Sequence, residues 1–159
     1  MKPLYIFDLD GTLALIDHRR HILDDRDDPQ RWRRFYAACD KDAPNYPVIS
    51  TMERLRRFAD IWIFSGRSDE VREQTVNWLL QYTGFSKDDF DAAFGYQDVL
   101  TMRSEGDYTP DDVLKRKWLD AMLDEDRQRL VAAFDDRDRI VRMWRDAGVA
   151  CFQVADGNF

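Results

Sequence analysis

Two aspartates one residue apart, Asp8 and Asp10, follow the apolar run Leu4-Tyr5-Ile6-Phe7 and precede Gly11-Thr12. Farther along, Ile61 to Phe64 ends in Ser65-Gly66-Arg67, and Leu130 to Phe134 ends in Asp135-Asp136. Strands that stop in turns often carry Asp or Ser for turn geometry alone. Three such endings in one chain point instead to a common site. Four carboxylates brought together repel, and their pKa values rise unless a cation intervenes. Mg²⁺ suits such a set, being a hard ion that prefers oxygen ligands. No His/Cys cluster carries the spacing of a zinc site. A divalent cation beside an arginine and a hydroxyl, with Lys115 as a further candidate, fits phosphate chemistry. There catalysis is mostly positioning and charge neutralisation. One aspartate of the first pair can attack phosphorus and the other can pass a proton. In an extended strand residues two apart face one side, so Asp8 and Asp10 are expected to share the site. Gly11 lets the chain turn sharply beyond them.

The elements that must carry these groups follow from periodicity. Pro3 to Leu9, Ile61 to Phe64, Asp98 to Met102, Leu130 to Phe134 and Val149 to Val154 read as strands. Pro29 to Asp40, Ile49 to Phe58, Asp69 to Tyr82, Thr109 to about Leu123, and Ile140 to Ala147 read as helices. Val71, Thr75, Trp78, Leu79 and Tyr82 form one stripe, and Gly84 is placed as a stop. Thr109-Pro110-Asp111-Asp112 resembles a helix start, with acids at the positive end of the dipole. Ile16 to Asp28 reads as polar and irregular. Strands alternating with amphipathic helices predict an α/β fold: a parallel sheet with helices on both faces, its chemistry at the carboxyl ends of the strands.

The 159 residues fit one domain over 1–159, and 44% hydrophobic with 13% aromatic content argues against disorder. The net charge of −7 argues against coating duplex DNA through bulk electrostatics, but not against gripping a short nucleic-acid end. No apolar run approaches the ~20 residues of a membrane span. Without a signal-peptide pattern at the N-terminus, a cytoplasmic location is expected. Cys39 and Cys151 are expected to be reduced, structural thiols.

Phe7-Asp8-Leu9-Asp10-Gly11-Thr12-Leu13 resembles the first motif of the haloacid dehalogenase superfamily of phosphotransferases. Ser65-Gly66-Arg67, Lys115 and Asp135-Asp136 resemble its second, third and fourth, in order. Ala133 to Val141, Met143-Trp144-Arg145, Gly148-Val149, Cys151 to Ala155, and Glu105 to Lys115 are similar to the phosphatase part of phage polynucleotide kinase/phosphatases. Residues 16–46 agree poorly and occupy the place of a small cap insertion. The resemblance implies a three-layer Rossmann-like fold and a Mg²⁺-dependent phosphatase of 3′-phosphate ends of DNA or RNA, with 2′,3′-cyclic phosphates as a further substrate. By resemblance Asp8 is nucleophile and metal ligand. Asp10 is general acid/base, with its carbonyl on the metal, and Asp135 and Asp136 complete the metal shell. Ser65 hydrogen-bonds the transferring phosphoryl group, Gly66 is phosphate-binding beside it, and Arg67 holds substrate phosphate. Lys115 neutralises Asp8 and the phosphoryl oxygens, and Arg103 contacts substrate. The chain has no G-x-x-x-x-G-K-[ST] pattern, so only the phosphatase half carries over, with a separate kinase or ligase as a partner.

Each residue also has a plainer reading. Ser65 can cap a helix, Lys117 lies close to Lys115, and Asp111 and Asp112 suit a helix dipole. His18 and His21 have no evident carboxylate or cysteine partner and read as exposed or substrate-contacting. Trp32, Phe35 and Tyr36 read as cap packing ahead of a base-stacking platform, and Trp118 and Trp144 as core. A nucleotidase acting on small molecules, or a non-catalytic binding module, are the competing functions.

Overall fold

A computed structural model describes residues 1–91 and 98–158. In chain order the elements are β1 (Leu4–Phe7), β2 (Ala14–Leu15), α1 (Asp17–Arg20), α2 (Arg31–Ala37), β3 (Ala43–Pro44), α3 (Tyr46–Arg56) and β4 (Asp60–Ser68). Then come α4 (Arg72–Tyr82), β5 (Leu100–Arg103), α5 (Asp111–Asp120), α6 (Asp124–Arg129), β6 (Leu130–Asp135), α7 (Asp138–Asp146) and β7 (Ala150–Gln153). The five longer strands form one parallel sheet in the order β5-β4-β1-β6-β7. This is the α/β arrangement expected, and β1 lies at its centre. Phe7 pairs with Ile63 on one side and Phe134 on the other. The residues that follow Phe7 and Phe134, Asp8 and Asp135, therefore emerge side by side.

Strand alternation sorts the apolar side chains into two cores. Leu4 and Ile6 join Trp62, Phe64, Ala133, Ile140, Val141 and Trp144 on the α5/α7 face. Phe7, Ile61 and Ile63 join Ile49, Met52, Trp78 and Leu79 on the α3/α4 face. Helices on both faces are what make every central strand nearly continuously apolar. Trp144 is buried as expected, whereas Trp118 is half-buried and packs at the rim of its core. Both cysteines are buried and free. No helix among the described residues is long and apolar enough to cross a membrane.

The sequence reading misplaces some boundaries. Asp69–Val71 is a 3-10 turn ahead of α4, its entry capped by Ser68, whose Oγ accepts from the Glu70 amide at 3.4 Å. Ser65 is therefore not the helix cap. The helix after Thr109 begins at Asp111, and the Thr109 carbonyl instead accepts from Arg103. Residues 16–28 are not irregular throughout: they hold α1 and a 3-10 turn, His21–Leu23. The two-residue ladder β2–β3 and the helix α6 are absent from the sequence reading. The first is too short to show a period, and the second, Asp-Glu-Asp-Arg-Gln-Arg, has no apolar residue to show one.

Candidate active site

β1 ends at Phe7, so Asp8 leaves the strand with its amide still donating to the Phe134 carbonyl at 2.9 Å. The chain then turns. The amides of Thr12, Leu13 and Ala14 all donate to the Leu9 carbonyl, and Gly11 sits at φ +85°. The strand itself ends before Asp10, which keeps one isolated bridge, to Ala14. The turn nonetheless brings both carboxylates to one cavity of about 320 Å³. Gly11 is required twice. Its φ is strained for any side chain, and a Cβ there would lie 2.1 Å from Asp136 Oδ2. Gly11→Ala is expected to destabilise the protein by about 1–3 kcal/mol and to displace the Asp136 carboxylate. Paired urea melts and phosphatase assays check this, and an unchanged variant would remove the steric argument.

Asp8, Asp135 and Asp136 are buried, and each offers a carboxylate oxygen within 4.8 Å of the others. Lys115, buried on α5, donates to Asp8 Oδ1 at 2.6 Å and to Asp135 Oδ2 at 2.8 Å. Lys117 is exposed, so the structure chooses between the two lysines. Thr12 Oγ1 donates to Asp8 Oδ2 at 3.0 Å, and the Asp136 amide donates to Asp135 Oδ1 at 3.0 Å. Asp136 Oδ1 is buried with no hydrogen-bond partner. Burial pushes the Asp8 carboxyl well above the carboxylate range; Lys115 opposes this, while Asp135 and Asp136 add to it. Burial and then Asp135 push Asp136 up to about 6. Burial works against the Lys115 charge, but Asp135 and Asp8 outweigh it and its pKa rises. Three inward carboxylates, one ammonium and an orphaned carboxylate oxygen leave negative charge uncompensated. That donor set fits a hard divalent cation.

Asp10 has a different environment. Its Oδ1 accepts from Arg67 Nε at 2.7 Å and Arg19 Nη2 at 2.9 Å. Burial alone would raise its pKa, but Arg67 and then Arg19 reverse the sign and hold it below the usual range. Both arginines are fully buried and converge again on Asp42, itself buried. Asp42 Oδ2 accepts from Arg19 Nη2 at 2.7 Å and Arg67 Nη2 at 2.6 Å. Its Oδ1 accepts from Arg19 Nε at 2.7 Å and lies 2.8 Å from His18 Nε2. The remaining donors also find partners: Arg19 Nη1 reaches the Phe35 carbonyl, and Arg67 Nη1 reaches Thr75 Oγ1 at 3.3 Å. Trp78 Nε1 donates to the Asp42 carbonyl at 2.8 Å.

This cluster corrects several sequence readings. His18 does have a carboxylate partner, while His21 is exposed. Arg67 is committed to Asp10, Asp42 and Thr75, and it does not line the catalytic cavity. Its guanidinium is taken up by these side chains. Ser65 is fully buried, its Oγ accepting from the Arg67 amide at 3.2 Å, and it too lies behind the cavity wall. Arg103 is likewise spent on structure: Nε donates to the Gly66 carbonyl at 2.9 Å, and Nη1 to the carbonyls of Asp107 and Thr109. Its Nη2 pairs with Asp111. Gly66 does line the cavity, and a Cβ there would lie 2.8 Å from Asp111 Oδ1. Asp111 and Asp112 are ion-pair partners as well as first-turn acids, Asp111 with Arg103 and Arg137, Asp112 with Arg139. Sequence reasoning missed Arg19, Asp42 and Arg137. Arg137 lines the cavity, and the one available signal was its position directly after Asp135-Asp136.

The whole arrangement has relatives. Residues 2–159 match the family model described as the polynucleotide kinase PNKP phosphatase domain. A putative bifunctional polynucleotide kinase/RNA ligase of Autographa californica nuclear polyhedrosis virus is 32% identical over 142 residues. That match covers 87% of this chain and 17% of the viral protein. A chain in the structure of the Pnkp1/Rnl/Hen1 RNA repair complex is 29% identical with a TM-score of 0.71. It is matched over 99% of this chain and 44% of its own length. The class C acid phosphatase of Bacillus anthracis shares the fold at 14% identity and a TM-score of 0.58, covering 99% of this chain and 68% of that one. The chain thus spans less than half the length of the two relatives it matches at higher identity. With a parallel sheet that delivers acids from β1 and β6 onto one lysine, and a match along nearly its full length, the chain belongs to the polynucleotide kinase phosphatase-domain family, of haloacid dehalogenase type.

Proposed function

We propose that this protein is a Mg²⁺-dependent phosphomonoesterase that removes 3′-phosphate from DNA or RNA ends, and opens 2′,3′-cyclic phosphates, through an aspartyl-phosphate. The observation that carries the reading is the convergence of Asp8, Asp135 and Asp136 on one another with Lys115 between them. The Asp8 carboxylate attacks phosphorus and the ester P–O bond breaks. The departing sugar oxygen takes a proton from Asp10. Water then loses a proton to Asp10 and attacks the same phosphorus. The bond to Asp8 breaks, releasing inorganic phosphate. Two guanidiniums favour the ionised form of Asp10, which suits the second half of this cycle. The incoming phosphate dianion works in the opposite direction and helps Asp10 carry the proton needed in the first. Lys115 holds Asp8 in place and offsets charge on the phosphoryl oxygens. Asp8, Asp135, Asp136 and the Asp10 carbonyl would hold Mg²⁺, which supplies positive charge against the carboxylates and the phosphate.

In this reading residues 1–159 form one phosphatase unit and 16–46 its cap, working in the cytoplasm. The viral kinase/ligase relative and the RNA repair complex support a separate kinase or ligase acting beside it. The test compares phosphate release from a 3′-phosphorylated oligonucleotide and from a 3′-mononucleotide at equal concentration, with Mg²⁺ and with chelator. Metal-dependent release favouring the oligonucleotide is expected. Equal turnover of the mononucleotide would make the protein a nucleotidase, and no metal-dependent turnover of either would make it a binding module.

A further inference from the structure

The cavity around Asp8 has two unlike walls. One is ionic, formed by Asp8, Asp10, Lys115 and Asp135. The other comes from the 16–46 segment and is mainly apolar: Ile16, Leu23, Trp32, Phe35 and Tyr36, with Arg20 and Asp24 beside them. A phosphoryl group on a sugar engages only the first. Trp32 is 43% exposed although it stands beside the reacting groups. It is also firmly backed. Its ring lies 6.0 Å from Phe35, edge to face, and 6.0 Å from Tyr36. Phe35 is pinned in turn beneath the Arg19 guanidinium, 4.1 Å above its ring. A large apolar ring held in place and left open to solvent calls for a flat apolar occupant. At about 320 Å³ the cavity sits at the low end of small-ligand sites, with room on the order of one nucleotide unit. Trp32 and Tyr36 also border an adjoining cleft in which arginines, Arg33 among them, are mixed with the acids Glu70, Glu105 and Asp107.

We infer that Trp32, buttressed by Tyr36, stacks the nucleobase of the nucleotide that bears the scissile phosphate, so that the enzyme selects base-bearing ends. This rests on the phosphatase reading above, which places the phosphate on the ionic wall and leaves the base for the aromatic one. The match to the polynucleotide kinase phosphatase-domain family favours a nucleotide over the ring of a phosphorylated tyrosine in a peptide.

The experiment uses two oligonucleotides ending in 3′-phosphate, one on an ordinary nucleoside and one on an abasic residue. Steady-state kinetics are measured for wild type, Trp32→Ala and Trp32→Phe. Wild type is expected to show a KM roughly 5- to 150-fold lower for the base-bearing end, the range of one base–aromatic stack, with similar kcat. Trp32→Ala brings that KM ratio close to one, and Trp32→Phe keeps most of it. Because the ratio is taken within each variant, loss of active protein cancels. A wild-type ratio of one, a ratio that survives Trp32→Ala, or a phosphotyrosine peptide with an equal KM overturns the assignment while leaving the phosphatase intact. Failure of wild type to release phosphate from either oligonucleotide instead removes the phosphatase reading itself.

Discussion

Asp8→Asn yields a folded protein whose turnover of a 3′-phosphorylated oligonucleotide falls by at least about 10⁴-fold, the scale seen when a catalytic nucleophile is removed. The amide nearly matches the carboxylate in shape but cannot attack phosphorus at a useful rate. Stability should change little, because two opposed terms are lost together. Asp8 gives up its bond with Lys115 at 2.6 Å, but it also stops repelling Asp135 and Asp136. Lys115 keeps Asp135 at 2.8 Å. Phosphate release and a thermal melt suffice to check this. Quenching wild type during turnover should also trap labelled phosphate on the protein, and the variant should trap none. Turnover within tenfold of wild type would show that Asp8 is not the nucleophile.

Asp42→Ala is expected to produce the largest loss of stability, about 3–5 kcal/mol, as when one member of a buried ion cluster is removed. The chain would keep two fully buried guanidiniums that shared this carboxylate. Arg19 and Arg67 would retain Asp10 but lose the brace that sets their angle to it. A catalytic group misplaced by about 1 Å can lose about 10²-fold in rate, so kcat should drop on that order even well below the melting point. Urea unfolding monitored by tryptophan fluorescence gives the first number, and initial rates on the oligonucleotide give the second. If Asp42→Ala melts with wild type and turns over normally, the cluster is ornamental.

How much of this could be read beforehand depended on distance along the chain. Asp8, Asp10, Asp135 and Asp136 stand directly after apolar runs, and neighbouring parallel strands must bring such endings together. Lys115 was legible through its place in the motif series, although its burial was not. The arginines show where local reading stops. Arg67 follows Ser65-Gly66 in a pattern that suggests phosphate binding, yet its side chain is claimed by Asp42, 25 residues away. Arg19 and Asp42 lie in a stretch without periodicity, and nothing in their immediate neighbours announces that they meet. Their pairing depends on the fold of 16–46 against β4, a tertiary fact. The sheet and its helices were readable because apolar spacing repeats. The six polar residues of α6 were not, because that helix shows no apolar face.

The tie between Asp42 and the two arginines also bears on how molecules enter and leave. Arg19 and Asp42 belong to the segment that supplies the aromatic wall, whereas Arg67 belongs to the central sheet. Swinging that wall aside as a rigid piece would pull charged partners apart in a dry interior, at a cost of several kcal/mol. Entry and departure are therefore expected to leave that wall in place. Under the function proposed above, substrate would reach Asp8 past a wall that stays in place, so the width of the standing opening, not a hinge, would set what enters.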